Sequence, residues 1–280
     1  MTKAECPICN SLANMLFSVM VQGENRSDLN SCSNCEFAFY PDQNWISNSF
    51  SDELNSLDVG ATDRTMIATD YLSVVLKSQR FSHGMFLDYG GGYGLLSRIM
   101  RDRGFNFENF DPYTRQIFPT SGQQSDILLE QEYDAVTLIE VALHFEDPVK
   151  EFKKLLDLSD VVLFTAVLTD EKLDSNWWYL SLETGQHIAL FSKKTLTVLA
   201  EKLDVKLTTD GKFFHVFHRD NLTKRASFIA KRQYLIFGIA SLNALTAYLR
   251  RSLSATGSLL EADERNAKEN LISRRSKKSN

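Results

Sequence analysis

Apolar residues recur at helical spacing between positions 62 and 80, and shorter apolar runs alternate with helical stretches through the central part of the chain. The first pattern predicts a helix over 62–80, with Asp63 as a candidate cap. Strands and helices are then expected in turn at 85–89, 95–103, 105–110, 135–139, 149–156 and 161–167, followed by a helix from Ser192 and a late strand over 213–217. Alternation of this kind predicts an α/β fold, in which helices cover a doubly wound parallel sheet.

The two ends of the chain depart from this pattern and divide it into three parts. Residues 1–40 contain all four cysteines and little amphipathic periodicity, so this module cannot be held together by a core of its own. Residues 222–280 contain a nearly uncharged run from Tyr234 to Leu249, which is slightly short for a membrane span. We therefore expect a central domain over 41–221 and a helical C-terminal extension that packs on it or lies on a membrane surface.

The formal net charge of −5 is unevenly distributed along the chain. Residues 222–280 contain 12 Lys and Arg against 4 Asp and Glu, a net charge of +8, which leaves −13 for residues 1–221. A body this acidic repels a phosphate backbone, so a long nucleic-acid partner is not expected. The basic extension could instead contact anionic lipid, and a helix that covers a sheet edge is the alternative. No secretory signal follows Met1, so we expect a cytoplasmic protein without disulfides, peripheral at the inner membrane surface if the extension binds lipid.

Two CxxC pairs stand in the N-terminal module, with 22 residues between them. Each pair can present two thiolates from one tight turn to a tetrahedral ion. Free buried thiols and a redox dithiol are the alternatives, but a redox motif needs only one pair and no cysteine is left over. The pattern therefore predicts a zinc ribbon, with Zn²⁺ bound by Cys6, Cys9, Cys32 and Cys35. Four cysteine ligands leave no open coordination position, so this metal is expected to be structural.

A glycine-rich loop follows the strand predicted at 85–89 and opens the next predicted helix. Four glycines within residues 90–94 at such a junction are typical of a backbone that approaches a ligand. The GxGxxG pattern of dinucleotide-binding loops fails when counted from Gly90, because Leu95 occupies the third glycine position. With an aspartate two residues before the first glycine, the loop resembles motif I of class I S-adenosylmethionine (SAM) methyltransferases. The resemblance implies that SAM is the cofactor and that its methionine part is held by Asp88, Gly90, Gly92 and Gly94.

Two further aspartates are candidates for the rest of this cofactor. Asp111 stands 17 residues after Gly94, at the end of the next apolar run, where a carboxylate can accept both ribose hydroxyls. A surface turn residue before proline is the alternative for this position. Asp126 could similarly meet the adenine amine. The family resemblance also implies a Rossmann-like, mostly parallel sheet of seven strands.

Residues 133–148 resemble the fourth strand of the same family and the loop beyond it. Family members commonly read EVLEH followed by DP, and here an Ala-Leu pair precedes His144, with Asp147-Pro148 after it. The (N/D)PP(Y/F) tetrapeptide of enzymes that methylate exocyclic base amines is absent from this strand end. A nucleic-acid amine is therefore not the expected methyl acceptor.

A later segment, residues 177–192, resembles zinc-ribbon methyltransferases that act on sugars, in which an EH pair followed by FS supplies a catalytic histidine. The resemblance implies His187 as the general base, with His144 as a second candidate and with Trp178, Tyr179 and Gln186 as acceptor contacts. Gln186 stands where the family has Glu, and the aromatic residues could equally belong to the core. The large C-terminal domain of the sugar C-methyltransferases has no counterpart in these 280 residues, which favours a hydroxyl over a carbon acceptor.

The expected function is SAM-dependent methylation of a hydroxyl, or of a carbon, on a nucleotide-linked sugar or surface glycan. An RNA methyltransferase that grips its substrate with the ribbon is one alternative, although the acidic body speaks against it. A non-catalytic zinc-dependent interaction module is the other, and it would be expected to lack motif I or the ribose-binding acid.

Overall fold

A computed structural model describes residues 4–50, 56–79, 84–118, 130–169, 173–232 and 269. The strands are β1 (Ala4–Glu5), β2 (Leu12–Val21), β3 (Asn25–Cys32), β4 (Ala38–Phe39), β5 (Met85–Tyr89), β6 (Asn106–Phe110), β7 (Ala135–Leu138), β8 (Val161–Thr165), β9 (Ala189–Leu190), β10 (Lys206–Thr209) and β11 (Phe214–His218). The α-helices are α1 (Ala61–Gln79), α2 (Leu95–Asp102), α3 (Pro148–Leu158), α4 (Lys193–Lys202) and α5 (Lys224–Ala230). Short 3-10 helices cover Ile46–Asn48, Ala142–His144 and Trp178–Leu180.

The larger sheet has six strands among the described residues, in the order β10-β11-β8-β7-β5-β6. Three of its five pairings are parallel, whereas β11 runs antiparallel to both β8 and β10. Six strands are seen in this part of the chain, so the expected count of seven stays a prediction, and the sheet is only partly parallel. The physical reason is that a tight turn joins β10 to β11, and a connection this short can join only antiparallel strands.

Successive residues of the central strands face opposite sides of this sheet. Phe86 packs in a cluster with α1 and α2, whereas its neighbour Leu87 packs in a cluster with α3 and α4. In β8, Val162 and Leu163 divide between the same two clusters. Helices therefore cover both faces, which confirms the doubly wound α/β arrangement.

The smaller sheet has five strands in the order β1-β2-β3-β4-β9, all antiparallel. Its last strand comes from far along the chain, because β9 pairs Ala189 with Phe39 and Leu190 with Ala38 of β4. The sheet of the N-terminal module is thus completed by a strand of the central domain. The division of the chain at residue 40 stays a prediction.

The N-terminal sheet also shares its core with the central domain, in the cluster that contains α3 and α4. The ring centroids of Phe37 and Phe191 lie 5.4 Å apart, and Phe191 is fully buried. Thr195 Oγ1, in the first turn of α4, donates a hydrogen bond to the carbonyl oxygen of Cys35 at 2.8 Å. The apolar surface that this module lacks is therefore supplied by the domain on which it packs.

Three of the described helices begin at residues whose side chains cap them. At the start of α5, Thr223 Oγ1 accepts a hydrogen bond from Ala226 N at 3.1 Å. Asp147 accepts a hydrogen bond from Lys150 N at 3.0 Å, and Pro148 follows it at the start of α3. At the start of α4, Ser192 and Thr195 form a reciprocal capping box. The Asp-Pro and Phe-Ser pairs of the sequence therefore have helix-initiating roles here.

Some expectations concern parts of the chain that the structure does not describe. Asp126 and the apolar run over 234–249 lie outside the described residues. The helical extension is described only through α5 and at residue 269, so its contact with lipid stays a prediction. Among the described helices, none is both long enough and apolar enough to cross a membrane.

Candidate functional site

The glycine-rich loop lies at the carboxyl end of β5, directly before α2. Gly90, Gly92 and Gly94 all have positive φ angles, of 71°, 55° and 86°. Residues with a Cβ atom rarely adopt these angles, so the loop conformation requires glycine at these positions. Gly91 contributes differently, because a Cβ atom there would collide with the side chains of Asp88 and Asn109.

Asp88 is buried beneath this loop, with a side chain 1% exposed. It accepts a hydrogen bond from Thr137 Oγ1 at 2.9 Å, across the pairing of β5 with β7. Burial raises the pKa of Asp88 to about 7, because an ionised carboxylate is poorly solvated there. The Asp88 carboxyl group thus joins the end of β5 to β7 next to the loop.

Asp111 lies just past the end of β6 and joins that strand end to the glycine loop. Its Oδ2 atom accepts a hydrogen bond from Gly92 N at 2.9 Å. Its Oδ1 atom accepts two more, from Tyr113 N and Thr114 N, both at 2.8 Å. The carboxylate is therefore held in place at the edge of a cleft that it helps to line.

That cleft has a volume of about 2350 Å³ and runs from the glycine loop and Asp111 to His144, Trp178 and His187. Small-molecule sites commonly occupy roughly 300–1,000 Å³. One cleft of this size can hold a cofactor and an acceptor side by side. The structure thus brings four of the predicted cofactor residues into a single space with both predicted catalytic histidines; the four are Asp88, Gly90, Gly92 and Asp111.

His187 has a defined tautomer. Its Nδ1 atom lies 2.7 Å from the carbonyl oxygen of Tyr179, and a carbonyl oxygen can only accept. Nδ1 therefore carries the proton, and Nε2 is the nitrogen that can take up another. Burial lowers the pKa of His187 to about 4, so the ring is neutral at physiological pH.

His144 lies beside His187, with 5.7 Å between their ring centroids. Phe50 packs against its ring at 5.4 Å, edge to face, and also stacks on Tyr113 at 4.8 Å. Burial, followed by the neighbouring His187, lowers the pKa of His144 to about 3. The two histidines form a neutral pair in the wall of the cleft.

The three residues predicted to contact the acceptor have different surroundings. Trp178 is 75% exposed and is available to a ligand, whereas Tyr179 is 2% exposed. Tyr179 donates its hydroxyl proton to Glu140 at 2.8 Å and accepts a hydrogen bond from Val167 N at 2.9 Å. Gln186 donates from Nε2 to the carbonyl oxygen of Ser49 at 2.7 Å.

Glu140 is a site residue that the sequence did not single out. It lies beyond the end of β7 with a φ of 60°, and its carboxylate accepts hydrogen bonds from Thr165 and Tyr179, both at 2.8 Å. Burial raises its pKa, although these bonds and the nearby Arg64 oppose that effect. A glutamate at a strand end, inside a segment already recognised, was the signal that could have found it.

The four cysteine thiols come together at one end of the N-terminal sheet. All four sulfur atoms lie within 4.8 Å of one another. The closest pairs are Cys6 with Cys35 at 3.5 Å and Cys9 with Cys32 at 3.4 Å, so each pair joins the two CxxC motifs. Sulfur atoms about 3.8 Å apart would surround a tetrahedral Zn²⁺ at about 2.3 Å, so the thiols fit this ion.

A family described as "Methyltransferase domain" matches residues 63–209, just over half of the chain. The match covers the glycine loop, Asp111 and both cleft histidines. The chain belongs to this family. The matched region thus includes five strands of the large sheet, β5 to β8 and β10, together with β9 of the smaller sheet. Strands β1 to β4 precede it.

Among solved structures, the methyltransferase is similar to magnesium protoporphyrin IX methyltransferase from Synechocystis PCC 6803, with 15% identity and a TM-score of 0.41. That match covers 60% of this chain and 86% of the other. The mitomycin 7-O-methyltransferase MmcR is 15% identical with a TM-score of 0.44, over 62% of this chain and 60% of its own. No curated protein matches this sequence.

We expect the free energy of unfolding of this methyltransferase to decrease as the pH falls from 6.5 to 5. His144, His187 and the buried His215 of β11 stay neutral in the fold down to about pH 3 to 4, whereas in the unfolded chain they bind protons near pH 6.5. Asp88 acts in the opposite direction, because its raised pKa lets the folded state hold a proton between pH 3.8 and about 7. A net difference of one to two protons corresponds to about 1–3 kcal/mol per pH unit.

Urea unfolding at several pH values measures this slope. The variant His215→Gln should have a shallower slope, because one of the three histidines is gone while the cleft is intact. A free energy of unfolding that is constant from pH 6.5 to 5 would contradict the assignment of these histidines as neutral.

Proposed function

We propose that this methyltransferase transfers a methyl group from SAM to a hydroxyl of a nucleotide-linked sugar or of a surface glycan, with a sugar carbon as the alternative acceptor atom. One observation carries the proposal: the glycine loop with Asp111 and a histidine of defined tautomer line the same cleft. A cofactor held by the glycine loop and Asp111 would present its methyl group to an acceptor held beside His187.

The residues around the loop fit the cofactor. A Cβ atom built on Gly92 would have no neighbour within 4 Å, so this backbone is open to the cleft and can be approached closely. Asp88, Gly90, Gly92 and Gly94 would hold the methionine part, Asp111 the ribose and Asp126 the adenine amine. When bound, SAM supplies a methyl group that its sulfonium charge already activates.

His187 would then act on the acceptor. Its Nε2 atom is the one able to take the hydroxyl proton, while Tyr179 fixes the ring through Nδ1. His144 is the second candidate for this role. Because the methyl group is already activated, holding the acceptor oxygen in line is most of the chemical task.

The cleft also carries groups suited to a sugar. Trp178 and Tyr113, which is 70% exposed, offer aromatic faces on which a sugar ring can stack. Carboxylates including Glu24, Asp58 and Glu183 line the same space and can accept hydrogen bonds from hydroxyl groups. The net charge of −13 over residues 1–221 would repel the many phosphates of a long RNA chain, which is why a sugar acceptor is preferred.

The cofactor assignment predicts that Asp111→Ala lowers the affinity for SAM by at least about tenfold, because the ribose partner and the anchor of Gly92 are lost together. Isothermal titration calorimetry measures the affinity. Asp102→Ala is the matched control, since this aspartate is solvent-exposed and pairs only locally with Arg98. If the wild-type protein binds no SAM, catalysis is excluded and a non-catalytic interaction module is the better description.

The base assignment predicts that His187→Ala lowers the rate of methyl transfer by about 10²–10⁴-fold. A radiolabelled-methyl assay over a panel of nucleotide sugars and glycans measures transfer, with His218→Gln on β11, outside the cleft, as the control. With the wild-type protein saturated with SAM, the ionisation of His187 should leave kcat/KM for the acceptor unchanged from pH 8 to 5 and lower it only toward pH 4, where His187 becomes protonated. Unchanged turnover in His187→Ala would remove it as the base, and salt-dependent RNA binding would favour the RNA alternative.

We also propose that Cys6, Cys9, Cys32 and Cys35 bind one structural Zn²⁺, on the evidence of their clustered sulfur atoms. Elemental analysis of the purified protein should give about one zinc per chain. Cys35→Ser should lose the metal and lower Tm, because a module with a small core depends on its ion. Wild-type protein that contains no zinc and is insensitive to chelators would contradict this proposal.

A further inference from the structure

The loop that carries His187 rests directly on the N-terminal segment, defined here as residues 4–50. Gln22 reaches this loop twice: its backbone N–H donates to the carbonyl oxygen of Leu182 at 2.7 Å, and its Nε2 atom donates to that of Thr184 at 2.9 Å. Trp45 Nε1 donates to the carbonyl oxygen of Gly185, also at 2.9 Å. The N-terminal segment thus binds three backbone carbonyl groups within residues 182–187, the stretch that ends at His187.

The contact at Gly185 leaves no space for a side chain. This glycine has a φ of 67°, and a Cβ atom there would lie 2.6 Å from both Trp45 Nε1 and Val21 Cγ1. The loop backbone therefore packs directly against the edge of the Trp45 indole. Gln22 and Trp45 are only 7% and 3% exposed, so water does not compete for these hydrogen bonds.

The N-terminal segment also holds the residue next to His187 and the chain that follows it. Immediately before the histidine, Gln186 Nε2 donates to the carbonyl oxygen of Ser49. Two residues after it, β9 begins and pairs with β4 of the N-terminal sheet. His187 thus lies between two anchors that belong to the same segment.

The cofactor side of the cleft is held in a different way. Gly90 N donates to the carbonyl oxygen of Phe110 at 2.7 Å, and Gly92 N donates to Asp111. These bonds join β5 and β6 within the large sheet, and none of them involves residues 4–50. A change at Gln22 or Trp45 can therefore alter the two halves of the cleft unequally.

We propose that Gln22 and Trp45 are positioning residues for His187, so that these two residues control proton removal from the acceptor without contributing to cofactor binding. The inference rests on the proposed function for its kinetic consequence, since His187 must be the base for its position to affect turnover. The position of the ring itself can be tested without any acceptor.

The test uses the full-length protein with Trp45→Phe, which keeps an aromatic ring but removes the indole donor. A separate variant, Gln22→Met, keeps the side-chain length but removes the side-chain amide that donates to Thr184. Tyr40→Phe is the matched control, because Tyr40 packs edge to face on Trp45 at 5.5 Å and its buried hydroxyl has no hydrogen-bond partner among the described residues. With only five histidines in the chain, ¹⁵N-histidine labelling allows the His187 ring to be titrated by NMR.

In both variants we expect the pKa of His187 to rise from about 4 toward the ordinary value near 6.5, because a released loop lets water reach the ring. kcat should fall by at least about tenfold, as expected for a displaced base, while the affinity for SAM stays within about twofold of wild type. Tyr40→Phe should match the wild type in every measurement. A pKa and a kcat that are unchanged in both variants would overturn the proposal, and so would a loss of SAM affinity as large as the loss of kcat.

A failure of the proposed methyl-transfer function can be distinguished from a failure of this positioning role. If the wild-type protein methylates no acceptor, or if His187→Ala keeps full turnover, the role of His187 as base is wrong. The NMR titration still decides whether Gln22 and Trp45 hold its ring in place.

Discussion

Strand β9 has two residues, yet its pairing with β4 is the interaction that joins the N-terminal sheet to the methyltransferase domain. A module built around four cysteines has too little apolar surface to fold on a core of its own. Here β4 and β9 place Phe37 against Phe191, and Lys202 Nζ donates to the carbonyl oxygen of Ile8 at 2.6 Å. The same pairing fixes the chain just after His187, so the contact that completes the small sheet also determines where the candidate base lies.

Burial determines the protonation states of the ionisable residues in the cleft. Desolvation makes the ionised form of an acid and the protonated form of a histidine costly, so Asp88 has a raised pKa while His144 and His187 have lowered ones. The two histidines are therefore uncharged, as the proposed general base has to be. Asp111 lies at the edge of the cleft, where three backbone N–H groups donate to its carboxylate.

Several elements could be predicted from the sequence because their signals are local. Helix α1 is observed at Ala61–Gln79, close to the expected 62–80, since apolar spacing is a property of consecutive residues. The glycine loop between β5 and α2 could be found for the same reason. The β2–β3 hairpin was not predicted: exposed apolar residues such as Leu12, Leu16 and Met20 on β2 interrupt the alternation that indicates a half-buried strand.

The sequence by itself determined the methyltransferase fold class, the loop that would hold the cofactor and the four thiols that would hold a metal, because each depends on the spacing of residues that are near one another in the chain. Only the tertiary structure decided that Glu140 meets Tyr179, that His187 has its proton on Nδ1, and that Gln22 and Trp45 hold its loop. Gln22 lies 162 positions from Thr184, and Trp45 lies 140 positions from Gly185. The pattern of apolar and polar residues along the sequence cannot predict contacts over such separations. These contacts form only when the two sheets pack around their shared core.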